Sequence, residues 1–253
     1  SIVNEALPNR IYEIAEAGAS SATGASPRHA TARHFFEDVS PLLNHTHQDE
    51  PFDDFERQPL LSHRLSRLGP GVAWCDLNGD GWDDLVIGSG RGGQLAAFRN
   101  NGQGGFTPIA QAPFTRRISR DQTAVLGWIR SGRPVLLVGS SSYEDGLTNA
   151  AAVELWDSAQ QNVAAFVAGQ PAAVGPLALA DSDGDGDLDL FVGGRVVPGR
   201  YPEAASSRLY RNENGQLVPD PRHTVLLEKL GLVSGAVFSD LDGDGFPELV
   251  LAC

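Results

Sequence analysis

The sequence contains no methionine, two cysteines (Cys75 and Cys253), and 19 basic residues against 32 acidic ones in 253 positions. Two cysteines cannot build the disulfide framework of a small secreted scaffold. Cys75 stands in an apolar run just before an acidic loop and reads as a small buried thiol. The shortage of lysine and arginine leaves a formal charge of -13. That excludes the basic face a nucleic-acid binder needs. No apolar run approaches the roughly 18 residues of a membrane-spanning helix. The most apolar region, 163–180, is broken by Gln170, Pro171, Gly175 and Pro176 and reads as two strands and a turn. No signal-peptide pattern is visible, and the chain opens on Ser1, which leads us to expect an excised or processed piece of a longer secreted polypeptide.

What is plentiful is glycine (29) and proline (16), set between short β-branched and aromatic runs. With no long amphipathic helix, this composition predicts an all-β chain: a sandwich, barrel or propeller. The organising stretch is 181–193, where Asp181, Asp183, Asp185 and Asp189 occupy positions 1, 3, 5 and 9 of a glycine-punctuated loop that runs into an apolar strand. So much like charge calls for a cation. Hard oxygen donors on a flexible loop suit calcium, which takes about six to eight oxygens, one of them here the backbone carbonyl of Asp187 at position 7.

The loop recurs with Asp76, Asn78, Asp80 and Asp84, and again with Asp240, Asp242, Asp244 and Glu248, each time with glycine at position 6 and an apolar run after it. Three such matches predict three calcium sites. EF-hand loops share the early ligands but need an acid at position 12 and a following helix. Position 12 here is Ile87, Val192 or Leu251, inside a strand-like run. Each loop is therefore expected to join two strands, with the ninth-position acid as the last ligand before the second strand.

Residues closing these second strands, Gly88, Gly139, Gly193 and Ala252, fall roughly 50–60 residues apart, the period of a four-stranded propeller blade. The unit around Gly139 has lost its acids: Arg130-Ser131-Gly132-Arg133 predicts a tight hairpin without an ion. Third strands follow at 94–99, 152–156 and 208–211, fourth strands at 105–109, 162–167 and 216–218. The stretches 9–13 and 34–39 resemble a third and a fourth strand, with a flexible excursion at 18–33. The expected layout is strands 3–4 of a blade over 1–41, a long cap loop over 42–69, a calcium blade over 70–120, a metal-free blade over 121–172, a calcium blade over 173–230, and strands 1–2 of a calcium blade over 231–253. Such a phase is compatible with a four-bladed ring closed by a composite blade, or with part of a larger propeller, which we prefer because open ends expose strand edges.

The cap loop carries His45, His47 and His63 near Asp49 and Asp53, a weak pattern for zinc beside the plainer reading of a surface cap. Asn44-His45-Thr46 matches a glycosylation acceptor. Acids outside the calcium loops, among them Asp53, Asp54, Glu144, Asp145 and Glu203, lie in separate connections without diagnostic spacing.

The repeat "apolar strand, Asp-x-Asp/Asn-Gly-Asp-Gly-x-x-Asp/Glu, apolar strand, Gly" resembles FG-GAP or VCBS repeats, the units of integrin α-subunit propellers and of many secreted bacterial proteins. Segments 52–61 and 193–202 resemble parts of bacterial relatives of cartilage acidic protein. The resemblance implies an exported calcium-bound β-propeller that takes part in binding, with backbone carbonyl ligands also from Trp82 and Phe246. It implies a location that is extracellular, at the cell surface or periplasmic.

The function expected is a non-catalytic binding, adhesion or scaffold module contacting a protein or glycan through a propeller face. Two alternatives stay open. One is an accessory structural subunit of a large envelope complex. The other is a polysaccharide-degrading propeller enzyme, in which Arg195, Arg200 and Tyr201 could hold an anionic sugar.

Overall fold

Short apolar runs separated by acidic, Asn-Gly or Ser-Gly turns have nearby partners in sequence, and each pairs with the next. The computed structural model describes residues 38–253. β1 (Val72–Cys75), β2 (Asp84–Ile87), β3 (Ala96–Asn100) and β4 (Phe106–Pro108) form one antiparallel sheet in sequence order. β5 (Gln122–Arg130), β6 (Arg133–Ser140), β7 (Val153–Asp157) and β8 (Asn162–Val167) form a second. β9 (Ala173–Ala180), β10 (Asp189–Val196), β11 (Arg208–Glu213) and β12 (Gln216–Pro219) form a third, and β13 (Gly235–Ser239) pairs with β14 (Glu248–Ala252). The all-β expectation with four-stranded antiparallel sheets therefore holds. The expected strands at 9–13 and 34–39 and the excursion at 18–33 lie outside the described residues, save Asp38 and Val39, which precede a 3-10 turn at Ser40–Leu42.

The sheets are laid side by side through their first strands, β1 against β5, β5 against β9 and β9 against β13. Alternation along the second strands supplies the cores between them, because successive side chains of a strand point to opposite faces. In β6, Leu136 and Val138 face the β1–β4 sheet beside Val86, Ala97 and Trp156, while Val135 and Leu137 face the β9–β12 sheet beside Val174, Leu190 and Val192. In β10, Leu190 and Val192 point one way, and Phe191 points the other, to Leu209, Phe238 and Leu251. Buried on both faces, these strands read in sequence as unbroken apolar runs, and each such side chain stabilises the packing by about 1.5–3 kcal/mol. Outermost strands are mostly exposed, as in β4 and β12.

Close approach of the first strands requires glycine. Gly71 N donates to Gln122 O (3.0 Å), and a Cβ on Gly71 would lie 2.6 Å from Ala124 Cα. The acid-free hairpin closes through Ser131 (φ 50°) and Gly132 (φ 74°), the two left-handed residues a tight type I′ turn demands.

Among the described residues, two short α-helices break the all-β pattern. α1 (Asp54–Arg57) is capped by Asp53, whose Oδ1 accepts from Phe55 N and Glu56 N. α2 (Pro221–Leu227) is capped by Asp220 and starts on a proline, whose fixed φ suits the first helical position. Sequence reading missed α2, although Asp220-Pro221 was a legible start signal.

The 42–69 segment is fastened, not loose. Leu61 and Leu65, with Phe52 and Leu68, pack on Tyr143, Ala173 and Val196. The fully buried Asp54 carboxylate accepts from Leu65 N (2.7 Å), Ser66 N (2.9 Å) and Ser66 Oγ (2.6 Å). Arg57 donates to the carbonyls of Tyr143 and Glu144, and the Gln58 amide both accepts from Tyr201 N and donates to Tyr201 O.

Candidate metal loops and a buried acid cluster

In each acidic loop the first carboxylate gathers the backbone around itself. Asp76 Oδ1 accepts from the N–H groups of Asn78, Gly79 and Asp80 while Oδ2 accepts from Gly81 N (2.8 Å). Asp181 takes Gly184, Asp185 and Gly186 in the same way, and Asp240 takes Gly243 and Gly245. The glycines at positions 4 and 6 all have positive φ, from 78° at Gly79 to 92° at Gly186 and Gly245, which is why these positions are glycine. Position 5 repeats the motif, with Asp80, Asp185 and Asp244 accepting from the N–H of Trp82, Asp187 and Phe246.

The ninth-position acid opens the second strand directly opposite the last residue of the first: Cys75 faces Asp84, Ala180 faces Asp189, and Ser239 faces Glu248. Asp84 and Asp189 are buried and each bonds the position-2 N–H and the N–H of a β3 or β11 asparagine, Asn100 or Asn212. Glu248 accepts from Leu241 N (2.7 Å), and among the described residues β14 has no third strand beside it to add a further donor. The acid thus locks loop to sheet as well as lying in the candidate ligand set.

Charge is concentrated in these loops. Oxygens of Asp181, Asp183 and Asp185 lie within 4.8 Å of one another, as do those of Asp240, Asp242 and Glu248. Asp183 Oδ1 is buried without a hydrogen-bond partner. In the first loop Asn78 Nδ2 donates to Asp80 Oδ2 (2.9 Å), replacing one carboxylate–carboxylate contact. Gly81 N, above all, and the other loop amides hold the Asp76 carboxyl below its usual range, whereas burial and the charges of Asp80 and Asp76 raise that of Asp84. Hard oxygen donors, one of them unpartnered and buried, fit a calcium ion. At position 7 the side chains of Trp82 and Phe246 are exposed and the backbone carbonyl is the candidate ligand. The Phe246 ring lies on Gly184, where a Cβ would meet it at 2.6 Å, so the loops at 181–189 and 240–248 are neighbours.

Arg211 was not anticipated. Its guanidinium bonds both Asp183 and the α2 cap Asp220, whose Oδ2 also meets His223 Nδ1 at 2.8 Å. Although burial works against it, the Arg211 and His223 contacts hold the Asp220 carboxyl well below the usual range. No sequence signal ties β11 to the loop; only the register does.

Among the described residues no cluster of three metal-ligating side chains includes a histidine of the 42–69 segment. His45 stacks edge-on to Phe98, and His63 edge-on to Tyr201. Of the remaining acids, Asp53 caps α1, Asp145 pairs with Arg120 (2.5 Å) and Glu203 with Arg200 (2.6 Å). Glu144 comes together with Asp49 and Asp121, their oxygens within 4.8 Å. Burial, then the charges of Asp121 and Asp49 against that of Arg91, push the Glu144 carboxyl up to about 7.

Repeated antiparallel sheets, three of them with near-identical acidic loops between their first two strands, define an all-β repeat protein. A family model described as an FG-GAP-like repeat matches residues 76–127 and 181–251, so these two regions of the chain carry FG-GAP-like repeats. No curated protein matches the chain.

Proposed function

We propose that this chain is a calcium-stabilised β-propeller segment, acting outside the cytosol as a non-catalytic binding or adhesion module for a protein or glycan. FG-GAP repeats suggest a propeller-type binding module. The observation that carries the calcium reading is the Asp181–Asp183–Asp185 nest, three carboxylates converging with Asp183 Oδ1 buried and unpartnered. Bound calcium supplies the charge that lets such loops close. The chain's own part is to preset the donors: Asp181 folds the loop, Asp189 pins it to β10 and β11, and glycine at positions 4 and 6 supplies the turn.

A non-catalytic role is supported by the engagement of Asp53, Asp145, Glu203, Arg200 and Tyr201 in caps, ion pairs and the Gln58 clamp. Loops of this kind, with millimolar to submillimolar affinity, fill where calcium is abundant, outside the cytosol. Isothermal titration with calcium tests the reading: Asp185→Ala is expected to remove one site and lower the melting temperature in calcium. An unchanged site count would contradict it, and turnover of any member of a polysaccharide panel would overturn the non-catalytic part.

A further inference from the structure

Outside the repeat loops, four carboxylates from three distant parts of the chain gather near Arg91: Asp49, Asp121 and Glu144 bring oxygens within 4.8 Å of one another, and Glu50 and Glu144 pair with the guanidinium. Arg91 Nε lies 3.1 Å from Glu50 and 3.2 Å from Glu144, and Arg91 N donates to Asp121 Oδ1 at 2.9 Å. One positive charge leaves the group three short of neutrality at full ionisation. The Glu144 side chain is only 7% exposed, and neither of its oxygens accepts a hydrogen bond. Its one ion-pair partner, Arg91, is shared with Glu50, and a buried carboxylate without hydrogen bonds is costly to keep charged unless further positive charge reaches it. The backbone makes room for these acids: a Cβ on Gly90 would lie 2.5 Å from Asp49 Oδ1, and one on Gly92, at φ 84°, 2.5 Å from Glu50 Oε1.

From this geometry we propose a divalent-cation site, separate from the three repeat loops, held by one oxygen each of Asp49, Asp121 and Glu144. Donors that are all carboxylate oxygen select a hard cation, calcium or magnesium, over zinc or copper. Three protein oxygens leave part of the shell open, and the cavity of about 300 Å³ bordered by Asp49 and Asp121 gives water, or an oxygen of a bound partner, access to it. Because Asp49 belongs to the 42–69 segment while Asp121 and Glu144 belong to the second sheet's connections, the ion ties that segment to the sheets beside the α1 anchor.

The test is an ion count on the whole chain, by equilibrium dialysis against calcium followed by elemental analysis, for the natural sequence and for the double variant Asp121→Asn/Glu144→Gln. The expected result is a loss of one calcium per chain, whatever number the repeat loops hold; the reading of those loops and this one therefore fail separately. Equal counts overturn the site. In chelator the double variant is expected to melt at or above the natural protein, because like-charge repulsion is gone, while calcium raises its melting point by less. Should the double variant not fold, Asp49→Asn, at an exposed position, is expected to lose the same single ion. An identical calcium-dependent rise in all variants would leave Glu144 as a buried acid without a metal and overturn the proposal.

Discussion

Replacing Asp54 by alanine is the sharpest structural perturbation the chain offers. Its carboxylate is fully buried, 2.7 Å from Leu65 N and 2.9 Å from Ser66 N, and takes the Ser66 hydroxyl as well. Deleting it leaves two backbone N–H groups without an acceptor, at about 1–3 kcal/mol each. Removing a buried carboxylate returns part of that, for a net loss of about 3 kcal/mol. For a chain of this size the loss lowers the melting temperature by roughly 6–12 °C. Asp54→Asn keeps an oxygen for both N–H groups and lets the Ser66 hydroxyl turn to accept, so it should cost only about 1 kcal/mol. Although burial alone would raise the Asp54 pKa, hydrogen bonds from Ser66 and Leu65 hold it below its ordinary 3.8. A depressed carboxylate contributes stability above its unfolded value and loses it as pH falls through the folded value. The gap between the natural protein and Asp54→Asn is therefore constant above about pH 5 and closes as the solution is acidified below 3.8. Thermal melts across pH read both quantities. An asparagine variant as unstable as the alanine variant, or a gap that widens in acid, would refute the reasoning.

Other outcomes follow from single contacts. Asp220→Ala removes a helix cap and the partner of Arg211 and His223, and is expected to cost about 2 kcal/mol in a denaturant melt. Gly71→Ala drives a methyl into the Ala124 backbone and should cost about 1–3 kcal/mol or prevent folding, which expression and a melt would show. Burial first, then the charges of Asp84, Asp83 and Asp76, push the Cys75 thiol up to about 12, whereas Cys253 is exposed. A thiol reagent at pH 8 should therefore modify one cysteine quickly and the other only on unfolding.

The repeat loops were legible because their chemistry is local. Asp-x-Asp/Asn-Gly-Asp-Gly places candidate ligands, turn glycines and the following strand within one dozen residues, and Arg130-Ser131-Gly132-Arg133 announced its tight turn for the same reason. Second strands were legible as apolar runs, since Leu136–Val138 and Leu190–Val192 face a core on both sides. Hidden from the sequence was everything set by long-range packing. Arg211 reaches Asp183 only through the pairing of β10 with β11, and Asp54 finds Leu65 and Ser66 only once the 42–69 segment closes on Tyr143. Segments 52–61 and 193–202, noticed separately, meet through Gln58 and Tyr201. Asp49, Asp121 and Glu144 share no spacing at all, because three loops of the fold bring them together.

The central claim is that the three acidic loops are calcium sites that stabilise the fold, and a thermal melt with metal analysis tests it most directly. Protein stripped with chelator is compared with protein titrated with calcium and with magnesium. The account predicts at least three bound calcium ions per chain and a melting point that climbs with calcium and less with magnesium. A melting point indifferent to calcium, with no ion retained, would contradict it.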